Sequence, residues 1–286
     1  MQKVGIVCCS NGQKQTQKEQ IDKLEKALFY MGMEPILSPY IYETMSVFSG
    51  SAKERANALM KFYEDPEMTE IFDISGGDIA NGILPYLDYE LIGKSSAEFW
   101  GYSDLTTIIN AIYEKTGKSS VLYQIRNILY ETQEQLNADF FKQVFEFSYR
   151  FVQHHEMHGI VIGGNIRCFL KLAGTEYMPD FTNKILLLES RGGTVAQMET
   201  YLSQLKQLGA FKKVSGILLG TFTQMEAEKC MPTVESMVKE IAGKDMPIAV
   251  TRQIGHGTDA KAIVIGKEIH LIEDCAKMKN QTIKNM

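Results

Sequence analysis

The N-terminal half of the chain alternates short apolar, β-branched runs with amphipathic helical stretches. That alternation limits what it can fold into: a mostly parallel sheet with helices packed on both faces. KVGIVCCS, MEPILSPYI, TEIFDIS and AEFWGYS read as successive strands. Between the first two, residues Gln17 to Met31 carry Ile21, Leu24, Leu28 and Tyr30 at helical spacing. SAKERANALMKFYEDP opens on Ser51 with Glu54 three residues on, the pattern of a capping box, and should close near Pro66. LTTIINAIYEKTG follows the fourth strand as another amphipathic helix.

From about Asn127 the pattern changes. ETQEQLNADFFKQVFEFSYRFVQHHEM is polar, helical or irregular, with no clear strand. HGIVIGGN, NKILLLES, SGILLGTF, MPIAVTRQIGHG and KAIVIGKEIHLIE then read as strands joined by glycine-rich turns. One helix, VAQMETYLSQLKQLG, lies among them and closes at Gly209. The expected organisation is an α/β domain over 1–130, an inter-domain region over 131–158 and a smaller β-rich domain over 159–286. The tail DCAKMKNQTIKNM is expected to fray.

The remaining bulk properties exclude several classes of function. The formal net charge of -5 disfavours a nucleic-acid partner, which wants a dense Lys/Arg face. The apolar start MQKVGIVCCSNG is too short for a signal peptide or a membrane helix, so a cytoplasmic location and no membrane partner are expected. Five cysteines, Cys8, Cys9, Cys168, Cys230 and Cys275, match no zinc spacing and read as small apolar residues in a reducing compartment.

Four segments place reactive groups at the ends of strands. In GYSDLT, Ser103 falls between a strand and a helix, where its hydroxyl reaches the carboxyl edge of the sheet. The backbone N–H of Asp104 then lies at a helix N-terminus and can donate to an oxyanion. GxSxG itself is absent, since Leu105 stands at the second glycine position, and Ser103 or Asp104 could equally cap the helix. In SGGDIANG, the pair Gly76-Gly77 lets backbone approach a ligand; a tight turn explains it equally. Glu189 ends the apolar strand ILLLES, either solvated or holding a histidine. His256 lies between Gly255 and Gly257, with room to turn toward a pocket. Each segment also fits a plain structural role. Together they supply a nucleophile, an acid and a base in the order Ser, Glu, His, which is what acyl transfer needs.

GYSDLT, the GGN at Gly163 to Asn165, ILLLES and the GHG around His256 resemble the signature segments of the LD-carboxypeptidase family, which includes the microcin-immunity peptidases. VFSGSAKERA, EDPEMTEIFDISGGD and ILPYLDYELI extend the resemblance, which runs from about Lys3 to His270. It implies a serine peptidase with Ser103 as nucleophile, Glu189 as acid and His256 as base, and the backbone N–H groups of Gly77 and Asp104 as oxyanion donors. It also implies an N-terminal α/β domain, a smaller β-rich C-terminal domain, a homodimer, a small peptide as substrate, and no metal or organic cofactor. Gly76, Asp78, Arg126, Arg167 and Arg191 are candidate substrate contacts, the arginines because a carboxypeptidase must hold a free carboxylate.

The chain also departs from the family. Ser75 and Asp78 stand where relatives often carry Arg and Tyr, and the only tryptophan is Trp100, beside GYSD. The immunity peptidases stack a nucleotide ring on a tryptophan of a later loop, and this chain has none there. Three functions therefore stay open: removal of the terminal D-Ala from wall tetrapeptides, hydrolysis of aminoacyl-nucleotide or other peptide conjugates, and a non-catalytic binding module.

Overall fold

The computed structural model describes residues 1–132, 134–136 and 139–273. Cys275 and the tail DCAKMKNQTIKNM, expected to fray, lie outside the described residues. The chain divides into two compact units, Met1–Phe141 and Lys142–Met286. Both are α/β.

The first unit holds β1 (Gln2–Val7), β2 (Met33–Leu37), β3 (Met68–Asp73), β4 (Glu98–Gly101) and β5 (Ser120–Leu122). They pair in the order β5-β4-β3-β1-β2, every pair parallel. Val4, Ile6 and Val7 of β1 are fully buried, as expected of a parallel strand covered on both faces. The helices are α1 (Lys18–Tyr30), α2 (Ala52–Glu64), α3 (Tyr89–Lys94) and α4 (Thr106–Thr116). α1 buries Ile21, Leu24 and Leu28 of the expected stripe, while Tyr30 at its end is exposed. α2 starts with the reciprocal capping box: Ser51 Oγ accepts from Glu54 N, and Glu54 accepts from Ser51 N at 2.8 Å. It ends at Glu64, two residues before Pro66. The chain leaves β1 for β2 on one side and returns to β3 on the other. The strand order therefore reverses between β1 and β3, and ligands in open parallel sheets bind at the carboxyl ends of such a pair.

α5 (Phe140–Gln143) leads into the second unit. Its strands are β6 (Arg150–Gln153), β7 (Glu156–Asn165), β8 (Lys184–Ser190), β9 (Gly216–Phe222), β10 (Ile248–Val250), β11 (Ile263–Ile265) and β12 (Glu268–Ile272). The sheet runs β12-β7-β8-β9-β10-β6. Its four central strands are parallel, and β12 and β6 close the edges antiparallel. Ile185 to Leu188 of β8 are fully buried. Each such leucine contributes roughly 1.5–3 kcal/mol by leaving water. The helices are α6 (Ile166–Phe169), α7 (Val195–Gln207), α8 (Ala210–Lys213), α9 (Thr223–Ala227) and α10 (Val234–Ala242).

β6 and α10 are among several elements that the sequence reading did not contain. RFVQ forms the edge strand β6, inside a stretch that reads as strandless; with only Phe151 buried, it shows no alternation of its own and depends on β10. α10 is the longest of the unexpected helices among the C-terminal strands. It begins at the cap Thr233, whose side chain accepts from Ser236 N, and buries Val234, Met237 and Val238 on one face. Gly209 does mark the end of α7, with φ of 77°.

Candidate active site

In the first unit, β4 ends at Gly101 and a single turn of 3₁₀ helix over Ser103–Leu105 leads into α4. The turn is sharp. A Cβ on Gly101 would stand 2.7 Å from Leu105 Cβ, so a glycine is needed for the chain to fold back. Ser103 itself has φ of 56°, the left-handed region, which a non-glycine residue occupies at a cost of about 1–3 kcal/mol. A serine held in this way at a strand-to-helix turn has the form of a nucleophile elbow, although the second glycine of GxSxG is missing. The N-cap positions of the two turns fall on Tyr102 and Leu105, and neither makes a side-chain capping bond. The Asp104 carboxylate, fully buried, instead accepts from Ser10 Oγ at 2.6 Å and from the Ala80 backbone N–H at 2.8 Å.

Gly77 follows β3 with φ of +129°, and a Cβ there would fall 2.2 Å from Asn11 side-chain atoms. Backbone at that point can approach a neighbour as no other residue could. Gly76 is half-buried beside it, and the exposed Asp78 donates its backbone N–H to Asn11 Oδ1 at 3.3 Å. Arg126, in the turn after β5, is half-buried and donates to Gln13 Oε1 at 3.1 Å. Burial pushes the Cys8 and Cys9 thiols well up, with the nearby Asp73 charge adding to it, which suits inert, apolar roles.

In the second unit, Glu189 and His256 meet. Glu189 lies at the end of β8, fully buried, and its Oε2 is 2.8 Å from His256 Nδ1. Its other oxygen, Oε1, accepts from Asn165 Nδ2 at 3.1 Å. Asn165 closes β7 directly beside Glu189 in the parallel register and caps α6 through Cys168 N. Asn165 is the residue that sequence reasoning left without a role, although it stands in the quoted GGN.

The His256 turn is laid along the end of β9. Thr251 N donates to Leu219 O at 2.8 Å, and Thr221 N to Ile254 O at 2.9 Å. Two glycines allow this contact. A Cβ on Gly220 would meet Ile254 O at 2.4 Å, and one on Gly255 would meet Thr221 Oγ1 at 1.7 Å. The His256 side chain keeps 12% exposure while its partner keeps none. The other four histidines are exposed, and His155, His158 and His270 pair with Glu273, Glu268 and Glu156 at the surface. Arg167 and Arg191 are exposed, just past the ends of β7 and β8. Among the described residues, no cluster of three or more His, Cys, Asp or Glu could hold a metal ion. Nor is any described helix long and apolar enough to cross a membrane.

Comparison with known proteins places the chain in the class of serine carboxypeptidase-like hydrolases. Residues 4–123 match the LD-carboxypeptidase N-terminal domain, and residues 158–271 match the LD-carboxypeptidase C-terminal domain. The chain belongs to the LD-carboxypeptidase family. It is 26% identical to a probable murein peptide carboxypeptidase of Bacillus subtilis, over 85% of this chain and 82% of that one. It is 28% identical to the microcin C7 self-immunity protein MccF of Escherichia coli, over 70% of each. A crystal structure of an MccF-like protein from Bacillus anthracis superposes with a TM-score of 0.84 at 27% identity, over 96% of this chain and 94% of that one.

Proposed function

We propose that the chain is a serine carboxypeptidase that hydrolyses the terminal L,D-peptide bond of murein-type peptides with Ser103, His256 and Glu189. The observation that carries this reading is the Glu189–His256 pair, an imidazole held at Nδ1 by a wholly buried carboxylate. That contact fixes the neutral tautomer with its proton on Nδ1, leaving Nε2 as the basic atom, and it stabilises the imidazolium once formed. His256 takes the Ser103 proton as the hydroxyl oxygen attacks the scissile carbonyl. The backbone N–H groups of Gly77 and Asp104 hold the oxyanion; one such donor is typically worth about 10²–10³ in rate. His256 then gives its proton to the leaving amine. Water, activated by the same imidazole, hydrolyses the acyl-enzyme and restores Ser103.

Among the candidate carboxylate contacts, Arg126 is the best placed. It is half-buried at the carboxyl edge of the first sheet, and Gln13 steadies its guanidinium. Gly76 and Asp78 border the same edge, while Arg167 and Arg191 are exposed. A murein-type substrate is favoured over a nucleotide conjugate by the place of Trp100. Holding a base ring by stacking takes an accessible aromatic face, and Trp100 is 4% exposed, packed edge-on against Phe72, Tyr123 and Phe141. The four described cysteines are free thiols, which suits the proposed cytoplasmic location. A homodimer is the proposed assembly, and light scattering at micromolar concentration tests it.

The deciding assay compares wild type with Ser103→Ala on a murein tetrapeptide and on an aminoacyl sulfamoyl adenylate. Release of D-Ala by wild type alone supports the reading. Turnover of the adenylate alone moves the substrate to the conjugate class, and full activity in the variant removes Ser103 from the mechanism.

A further inference from the structure

Beneath the Ser103 turn lies a run of buried polar groups for which the reaction itself has no use. Asp104, Ser10 and Ser75 are fully buried, Asp73 is 1% exposed and Arg55 2%. Asp104 Oδ2 accepts from Ser10 Oγ and Ala80 N. Ser10 N donates to Ser75 Oγ at 2.9 Å, and Ser75 donates to Asp73 Oδ1 through both its N–H and its hydroxyl. Asp73 Oδ2 accepts from Cys9 N at 2.8 Å. Arg55, reaching in from α2, donates to the carbonyls of Cys9 and Ser10, so its charge stands behind both carboxylates.

These bonds join three loops at the β1/β3 reversal point: the one after β1, the one after β3, and the Ser103 turn after β4. The loop carrying Gly77 is fixed on both sides of that residue. Ser75 is held by Asp73, Gly76 O accepts from Asn11 N at 3.2 Å, Asp78 N donates to Asn11, and Ala80 N donates to Asp104. Asp104 therefore belongs to the nucleophile turn by its backbone and to the Gly77 loop by its carboxylate.

We propose that Asp104, through Ser10 and Ala80, is a positioning residue that holds the Gly77 and Asp104 backbone N–H groups in register as one oxyanion site. This rests on the reading of Ser103 as nucleophile. A carboxylate suits the task because one oxygen accepts two donors from two different loops without offering a proton of its own. Burial makes the clamp stiff, since neither donor has water to turn to. Donors aimed at a developing charge act only when pre-set, so the effect should fall on kcat and leave substrate binding nearly untouched.

The test uses Asp104→Asn and Ser10→Ala, singly and together, with a murein tetrapeptide as substrate and a fluorophosphonate probe of Ser103. The expected result is a kcat lower by about 10–10²-fold in Asp104→Asn and by about 3–10-fold in Ser10→Ala, with KM within twofold of wild type. The double variant should lose little more than Asp104→Asn, because both cut the same bond. Fluorophosphonate labelling should slow in parallel with kcat. Should Asp104→Asn not fold, Ser10→Ala decides by the same division between kcat and KM. An active, labelled wild type whose variants keep kcat, or lose only thermal stability, overturns the clamp alone. A wild type that neither labels nor hydrolyses overturns the nucleophile assignment, and the clamp with it.

Discussion

Glu189 and His256 are 67 positions apart in sequence, yet Oε2 of one stands 2.8 Å from Nδ1 of the other, and the carboxylate has no contact with solvent. Parallel register makes this possible. β7 and β8 end side by side, so Asn165 at one tip can hold the second oxygen of Glu189 at the other. A buried carboxylate with both oxygens engaged has one orientation available to it.

Glu189→Gln should therefore lower kcat by about 10³–10⁴ while KM changes little, because an amide facing Nδ1 favours the wrong imidazole tautomer. The fold should survive, at a cost of about 1–3 kcal/mol for the disturbed buried bonds. Steady-state kinetics and urea denaturation measure the two effects, and activity within tenfold of wild type would remove Glu189 from the triad.

Ser103 gives a prediction of opposite sign for stability. Its left-handed backbone is easy only for glycine, so Ser103→Gly should abolish hydrolysis and raise stability by about 1 kcal/mol. Ser103→Ala should abolish hydrolysis without that gain, since alanine meets the same strain. Equal denaturation midpoints for the two variants would argue that the backbone there is relaxed.

Gly255→Ala probes how the histidine is carried. The added Cβ would fall 1.7 Å from Thr221 Oγ1, so the turn must lift away from β9. A displacement of about 1 Å at His256 should cost roughly 10² in kcat/KM. A crystal structure of the variant should show the imidazole moved off Glu189; an unmoved ring with full activity would contradict the tight seating.

Asp73 supplies a dependence on pH. Burial raises its carboxyl above the ordinary 3.8, against hydrogen bonds from Ser75 and Cys9 that lower it. The folded state therefore holds this proton more tightly than the unfolded chain does. The stability it contributes is present below 3.8 and is lost as pH rises through the raised value. Asp73→Asn cannot titrate, so the stability difference between wild type and variant should shrink as pH rises through the weakly acid range. Denaturation midpoints over a pH series give the slope, and a difference that grows with pH would reverse the assignment.

Elements with a strong local period were legible in the sequence. β1 to β4, α1, α2 and α7 each carry their own pattern and punctuation, from the Ser51/Glu54 box to Gly209. β6 was not, because an edge strand of four residues with one buried side chain takes its form from a partner far along the chain. α10 could have been read from Thr233 and the spacing of Val234, Met237 and Val238. At the proposed site, Ser103, Glu189 and His256 stood out as candidates because they sit where strands end. The supporting residues did not. Arg55 looks like a solvent-facing position of an amphipathic helix, and Asp104 like a helix cap. Only the folded chain brings Cys9, Ser75 and Asp104 within one hydrogen-bond network, and no local pattern encodes contacts that span 24 to 94 positions.

The backbone angle at Ser103 bears on how such a chain would drift once its hydrolytic activity no longer mattered to the cell. Replacement of that serine by glycine would be rewarded by a sturdier protein, so the loss of catalysis lies along a favourable slope. On the proposed role of Ser103, only selection for the chemistry opposes that slope, and descendants that have abandoned it should be recognisable by the glycine that succeeded the serine.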